Sequence, residues 1–489
     1  MFTVRRRVPT APTATAVLAC LTLILGAPPA AADDYSDADY VEFDADTAAR
    51  ASVEGKQLEQ LTDPEYHAEL FPLAGQTWFE NLGGQLSGLP QGRLYTGLGR
   101  LIPGGAVGNP RDYHEVQPVE VSFVSRTGAE LQGHLFWDGT PGPRPGVVVT
   151  SGSIQAPQQS YWWAARTLAR NGYLVFTWDA QGQGDSEGFG HEPGSLLPNL
   201  DGFPSQQASN FDEGTIDAIR FLLSTSDDQY RPGGWTESDV DAVRAQGQGS
   251  LHWSNPLAEY LDPSRIGLAG HSLGAQAVSK VQQCSDAGQA WQDAALCGGE
   301  SYPIRAVVAW DALSGEVEPV VPAMNQQADG YFFTPHPMPR APEPTERLGA
   351  FDTWRDAGVD AFDLTVRGGT HVEWNEVPYI LPATTYGTRQ VDFYTLAWFD
   401  RQLHPDPQRQ ELGTRALLEG PVPDGATHGK DEYPWRANFL SARYLSAFDF
   451  TGHDGEHHAA GDIREYAGLS PVGDWAGANA DRPEARRGD

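Results

Sequence analysis

The chain has 489 residues, with 33 Lys+Arg against 65 Asp+Glu and a formal charge of −32. That balance argues against a nucleic-acid partner, since phosphate recognition needs a positive footprint, and against adsorption to an anionic membrane. With 40% hydrophobic and 10% aromatic residues the chain is no disordered polymer, and three cysteines are too few for a small disulfide-stapled scaffold.

The N-terminus reads as an export signal. Arg5, Arg6 and Arg7 precede a short apolar stretch over 16–25, and Ala30, Ala31 and Ala32 offer small residues for cleavage before Asp33. The stretch is too short for a good spanning helix, and nothing later approaches the roughly 20 apolar residues a span requires. Loss of residues 1–32 removes three arginines and no acids, taking the charge from −32 to −35. A secreted, extracellular protein is expected. In an oxidising compartment the two remaining cysteines, Cys284 and Cys297, are expected to form a bridge. Closing so short a loop stabilises by about 3 kcal/mol on the chain-entropy estimate.

Residues 33–115 form an N-terminal extension, helical over 46–62 and mixed in aromatics, glycine and proline thereafter. The pattern then changes. Residues 119–125 alternate as a strand, Gly128 turns the chain, and 130–137 form a second strand, giving a hairpin. The β-branched run 147–150 has the character of a strand buried on both faces. A helix over 158–170 ends at Asn171-Gly172. A buried strand follows at 173–178 and a helix at 209–224. An insertion at 225–262 stands as a candidate cap. Further strands are expected at 266–269, 304–310 and 362–366, with helices at 273–283, 344–358 and 385–403. Alternating strands and helices predict an α/β fold, a mostly parallel sheet with helices on both faces. Ligands of such sheets bind beyond the carboxyl ends of the strands.

The chemical signal is Gly270-His271-Ser272-Leu273-Gly274, a G-x-S-x-G motif with a strand before it and a helix after it. That context lifts the serine hydroxyl above the sheet on a tight turn, with a helix N-terminus behind it. His271 itself is expected to pack behind the turn, because a nucleophile and its base need separate approach directions.

The arrangement resembles the α/β-hydrolase superfamily over about residues 119–403, and is most similar to its secreted esterase, lipase and polyester-hydrolase members, with some dienelactone-hydrolase character. The resemblance implies the chain order serine, acid, histidine. A strand, a glycine-rich loop and then His371 match the family's base position, with His336 second. The family usually carries its acid after the strand two before the histidine loop, which implies Asp329; Asp311, after the preceding strand, is the alternative, as in some lipases. The oxyanion donors implied are the amides of Leu273 and of Ser153 in Ser151-Gly152-Ser153, with Ile154 as runner-up. Residues 179–186 resemble the family's D-x-R-G-x-G-x-S loop, with Gln181 where arginine usually stands.

Trp162 and Trp310 are candidate substrate-binding residues, with core packing as the alternative for both. His453, Asp454, Glu456, His457, His458 and Asp462 fit no zinc spacing, so a polar tail is expected over 406–489 and no metal or other cofactor. The domain layout expected is thus a signal peptide over 1–32, an extension over 33–115, the hydrolase domain over 116–405 and a C-terminal extension over 406–489. The activity implied is carboxylic ester hydrolysis through an acyl-enzyme on Ser272, by a monomer acting on a small or polymeric ester. A serine peptidase or amidase with the same triad is the alternative, and a non-catalytic binding protein on the same scaffold a third.

Overall fold

The structure is a computed structural model that describes residues 116 and 118–461, apart from 154–156, 196–197, 200–206, 247–249, 312, 329–348, 367–370, 372–373, 375–384, 420–445 and 454. The expected signal and N-terminal extension, together with Ile154, Asp329, His336 and Asp462, lie outside the described residues.

Ten strands form one sheet in the order β1-β2-β4-β3-β7-β8-β9-β10-β11-β12. These are β1 (Val119–Val124), β2 (Glu130–Phe136), β3 (Arg144–Thr150), β4 (Leu174–Trp178), β7 (Leu261–His271), β8 (Ile304–Trp310), β9 (Ala323–Ala328), β10 (Ala361–Val366), β11 (Ala447–Thr451) and β12 (His457–Ala460). The six central strands from β4 to β10 are parallel. β1 and β2 at one edge, and β11 and β12 at the other, join antiparallel. A short pair, β5 (Gly190–His191) with β6 (Pro198–Asn199), stands apart.

Period-two alternation divides the strand side chains between two cores. Val147 and Val149 face one and Val148 the other; Ala306, Val308 and Trp310 face the first and Val307 the second. The first core is closed by α1 (Trp162–Arg170), α6 (Thr385–Leu403) and α7 (Pro407–Glu419). The second is closed by α2 (Ala208–Leu223), α4 (Leu273–Val281) and α5 (Gly349–Asp356). The β-branched run 147–150 is buried along its length, as a central parallel strand requires.

The insertion 225–262 contains α3 (Glu237–Ala245), whose N-cap Thr236 accepts from the Asp239 N–H in a capping box. The described part of the insertion forms an edge cover. Leu251 bridges to Ser122, the His252 N–H donates to Ser122 O at 2.7 Å, and Tyr230 Oη donates to Val124 O at 2.6 Å. It thus lies along β1, whose outer backbone groups would otherwise be unpaired.

The C-terminal region is also more structured than its composition suggests. Helix α7 packs on α6, and β11 extends the sheet beyond β10. Phe448 and Phe450 enter the first core. Cys284 and Cys297 are at bonding distance, with S–S at 2.02 Å and both residues buried. Among the described residues no helix is long and apolar enough to cross a membrane.

Candidate active site

Strand β7 ends at His271 and α4 begins at Leu273, leaving Ser272 alone in the turn with φ 55° and ψ −120°. An L-residue with positive φ is strained, and such strain gathers at functional sites. The flanking glycines make the turn sterically allowed. A Cβ at Gly270 would lie 2.3 Å from Gly274 O, and one at Gly274 would lie 2.4 Å from both Thr150 O and Ser151 O. Glycine at 274 thereby lets the N-terminus of α4 press against the end of β3.

Among the described residues the only other non-glycine with positive φ is Asp311, at 51°. It follows β8 as Ser272 follows β7, and the strands pair His271 with Trp310, so the two strained residues are the next step of one register. The Ser272 N–H donates to Trp310 O at 3.1 Å and the Asp311 N–H to Gln326 O at 2.6 Å, tying both turns to the neighbouring strand.

His371 reaches this point from the loop after β10. Its Nδ1 lies 2.5 Å from Asp311 Oδ2, and its carbonyl accepts from His271 Nε2 at 2.7 Å. The two imidazoles lie 4.6 Å apart, centroid to centroid. With a carboxylate on Nδ1, that nitrogen carries the proton and Nε2 is the basic one. The loop is held again at Trp374, whose Nε1 donates to Gln326 Oε1 at 3.0 Å and whose carbonyl accepts from Trp163 Nε1 at 3.1 Å. Of the two candidate acids, Asp311 is the one against His371, and Asp329 lies outside the described residues.

The Ser151-Gly152-Ser153 loop follows β3. Tyr161 Oη accepts the Gly152 N–H at 3.0 Å, and the Gly152 carbonyl accepts from Gln183 Nε2 at 2.8 Å. With the Gly152 N–H engaged, the next amide outward is that of Ser153. In a trans peptide it points opposite to the Gly152 carbonyl, so Gln183 fixes its direction. Gln183 comes from the 179–186 loop, which is organised around Asp179. That carboxyl accepts from the Gln158 backbone N–H, Gln158 Nε2 and the Asp185 N–H. Burial pushes Asp179 up to about 7 against the pull of the Gln158 hydrogen bonds.

His271 is buried, and burial with the nearby His371 pushes its pKa down to about 3, so it is neutral. Trp310 is a core residue with no exposed surface, near-parallel to Tyr161 at 6.1 Å, and donates from Nε1 to Thr395 Oγ1. Trp162 is half-buried against His134 and Phe136, with the Arg166 guanidinium 5.1 Å from its ring. Both tryptophans are thus engaged in packing contacts.

Several supporting residues are not among those singled out from the sequence: Tyr161, Gln183, Trp374 and Gln326. Gln183 lies in the 179–186 loop, and Gln326 gives a sequence signal as a glutamine inside an otherwise buried strand, while Tyr161 and Trp374 give none. In the C-terminal region, His457 Nε2 lies 2.8 Å from Asp449 Oδ1 and His453 Nε2 is 3.1 Å from Arg401 O. Among the described residues no cluster of three or more His, Cys, Asp or Glu could hold a metal ion. No family model matches the chain, and no curated protein matches it.

Proposed function

We propose that the chain is an exported serine hydrolase of the α/β-hydrolase class that cleaves carboxylic esters. One observation carries the reading. A strained serine between a strand and a helix stands one register step from a strained aspartate, and that aspartate holds Nδ1 of a histidine whose backbone is bound to the residue before the serine. The strand order supports it too: an antiparallel edge hairpin is followed by a parallel series, with the serine after the central strand β7. The bridged cysteines fit export into an oxidising compartment.

In this mechanism Ser272 Oγ attacks the ester carbonyl while His371 Nε2 takes its proton. Asp311 keeps the proton on Nδ1 and stabilises the imidazolium. The developing oxyanion is received by the amides of Leu273 and Ser153, with the N-terminus of α4 adding its dipole. His371 then protonates the departing alcohol. Water, deprotonated by His371, attacks the acyl-enzyme, the acid leaves, and Ser272 regains its proton. This scheme calls on no cofactor.

A fluorophosphonate probe is expected to label wild-type protein and not Ser272→Ala, with hydrolysis of short p-nitrophenyl esters lost in the same variant. A native protein that stays unlabelled overturns the reading. A peptidase or amidase would use the same groups, and faster turnover of aminoacyl p-nitroanilides than of the esters would select it.

A further inference from the structure

The residue before the nucleophile points away from it, since neighbouring side chains on a strand alternate. His271 is accordingly 2% exposed, and both its ring nitrogens are engaged. The His371 carbonyl can only accept, so Nε2 of His271 carries the proton and donates across 2.7 Å. Nδ1 is then an acceptor, and Tyr161 Oη, 2.8 Å away, must donate to it. That leaves the Tyr161 oxygen to accept the Gly152 N–H at 3.0 Å. Three hydrogen bonds thus run with one polarity, from Gly152 N–H to Tyr161, from Tyr161 O–H to His271, and from His271 Nε2–H to the His371 carbonyl.

We propose that His271 is a positioning residue that ties the backbone of the histidine loop to the oxyanion loop, acting on the second through Tyr161. The inference rests on the reading of Ser272 and His371 as nucleophile and base. Asp311 fixes the His371 ring, and His271 fixes the backbone that carries it. On the other side, Gln183 holds the Gly152 carbonyl, which shares a peptide plane with the Ser153 N–H, and Tyr161 holds the peptide before it through the Gly152 N–H, so both peptides flanking Gly152 are fixed. The glycine is needed for this approach, because a Cβ there would sit 2.9 Å from both His271 Nδ1 and Tyr161 Oη. One neutral imidazole therefore sets the spacing between the base and the oxyanion donors. Burial and the adjacent His371 keep it neutral.

The test uses the full chain and three substitutions. Tyr161→Phe removes only the hydroxyl. His271→Gln keeps a side-chain N–H near the former Nε2 position. His271→Phe removes both links and retains a ring. The readouts are kcat and KM for a short p-nitrophenyl ester, the affinity of an alkyl boronic acid whose tetrahedral adduct occupies the oxyanion hole, and thermal stability. We expect Tyr161→Phe to lower kcat by roughly tenfold, with KM within about twofold and boronate affinity falling in parallel, as loss of one aimed donor bond predicts. His271→Phe is expected to lose on the order of 100-fold in kcat, and His271→Gln to recover part of that loss. Wild-type kcat and boronate affinity in Tyr161→Phe and His271→Gln, whatever the melting temperature, overturn the inference. If fluorophosphonate labels Ser272 in wild type and the variants are unimpaired, only this inference fails. If wild type is unlabelled, the catalytic reading fails and takes this inference with it.

Discussion

Asp311 and Ser272 both hold a positive φ, and a sparsely populated backbone conformation costs a non-glycine residue about 1–3 kcal/mol. Asp311 turns that strain into a short contact with His371 Nδ1. Replacing the carboxylate by an amide preserves shape and removes the acceptor that selects the tautomer. Asp311→Asn is therefore expected to lower kcat on the order of 10⁴-fold, whereas Asp329→Asn should change it by no more than about threefold; assaying both against one p-nitrophenyl ester separates the candidate acids. His271 makes a second residue-scale prediction. Its pKa is held at about 3 in the fold, by burial first and then by His371, with Asp311 opposing, and the ordinary value is 6.5. Between those values the unfolded chain binds a proton that the folded chain refuses, so this contribution is intact above pH 6.5 and is lost as pH falls towards 3. Asp179, raised to about 7, has the opposite slope, its contribution being lost as pH rises from 3.8 through 7. Urea unfolding at several pH values should show wild type losing more stability than His271→Phe between pH 6.5 and 4. Parallel curves for the two proteins would show that His271 does not resist protonation.

At the scale of elements, the proposed catalysis depends on how closely α4 approaches β3. Gly274→Ala would favour the helix intrinsically by up to about 1 kcal/mol, but its Cβ would meet two backbone oxygens that have no rotamer to yield. The clash should win, lowering stability by about 1–3 kcal/mol and reducing kcat as the helix N-terminus backs away from the oxyanion loop; a melting temperature at or above wild type would contradict the packing. Most of this architecture is legible in the sequence because it is local: Val147, Val148 and Val149 read as a buried strand, and G-x-S-x-G between strand and helix reads as the elbow. What stays illegible depends on distant partners. Asn325, Gln326 and Gln327 look wrong for a buried strand until the fold brings them Asp363, Trp374 and Thr395 as hydrogen-bond partners. The acid is ambiguous in the sequence for the same reason. Asp311 and Asp329 each follow a strand in sequence, and only the tertiary placement of His371 brings it against Asp311. The place of 225–262 is not legible either, because aromatic content marks a buried face without saying which face; Tyr230 and Trp235 hydrogen-bond to β1 and the turn after it.

At the scale of the molecule, a ten-stranded sheet has two edges to protect. The insertion covers β1, and the β11–β12 hairpin covers β10, whose Phe362 stacks on Phe448 at 5.8 Å between centroids. Arg401 locks the hairpin to α6. Its guanidinium donates to Asp360 and to Thr451 O and lies 4.6 Å from the Phe450 ring centroid. The new outer strand, β12, spans only four residues and begins with two histidines, a short polar edge that is a poor template for further pairing. Ending the chain at 445 would expose the longer β10 edge and strip Phe448 and Phe450 from the core. Each phenylalanine lost from a core costs about 3–5 kcal/mol on the scale of Phe→Ala, a large part of the 5–15 kcal/mol that typically stabilises a domain. The truncated chain is therefore expected to elute as aggregate in size-exclusion chromatography, at a concentration where the full chain does not. Arg401→Ala, which keeps the hairpin and removes its lock, should remain unaggregated with a lowered melting temperature. A truncated protein with the elution and melting temperature of the full chain would mean that β10 can stand as an edge, and that the hairpin protects nothing the central parallel strands require.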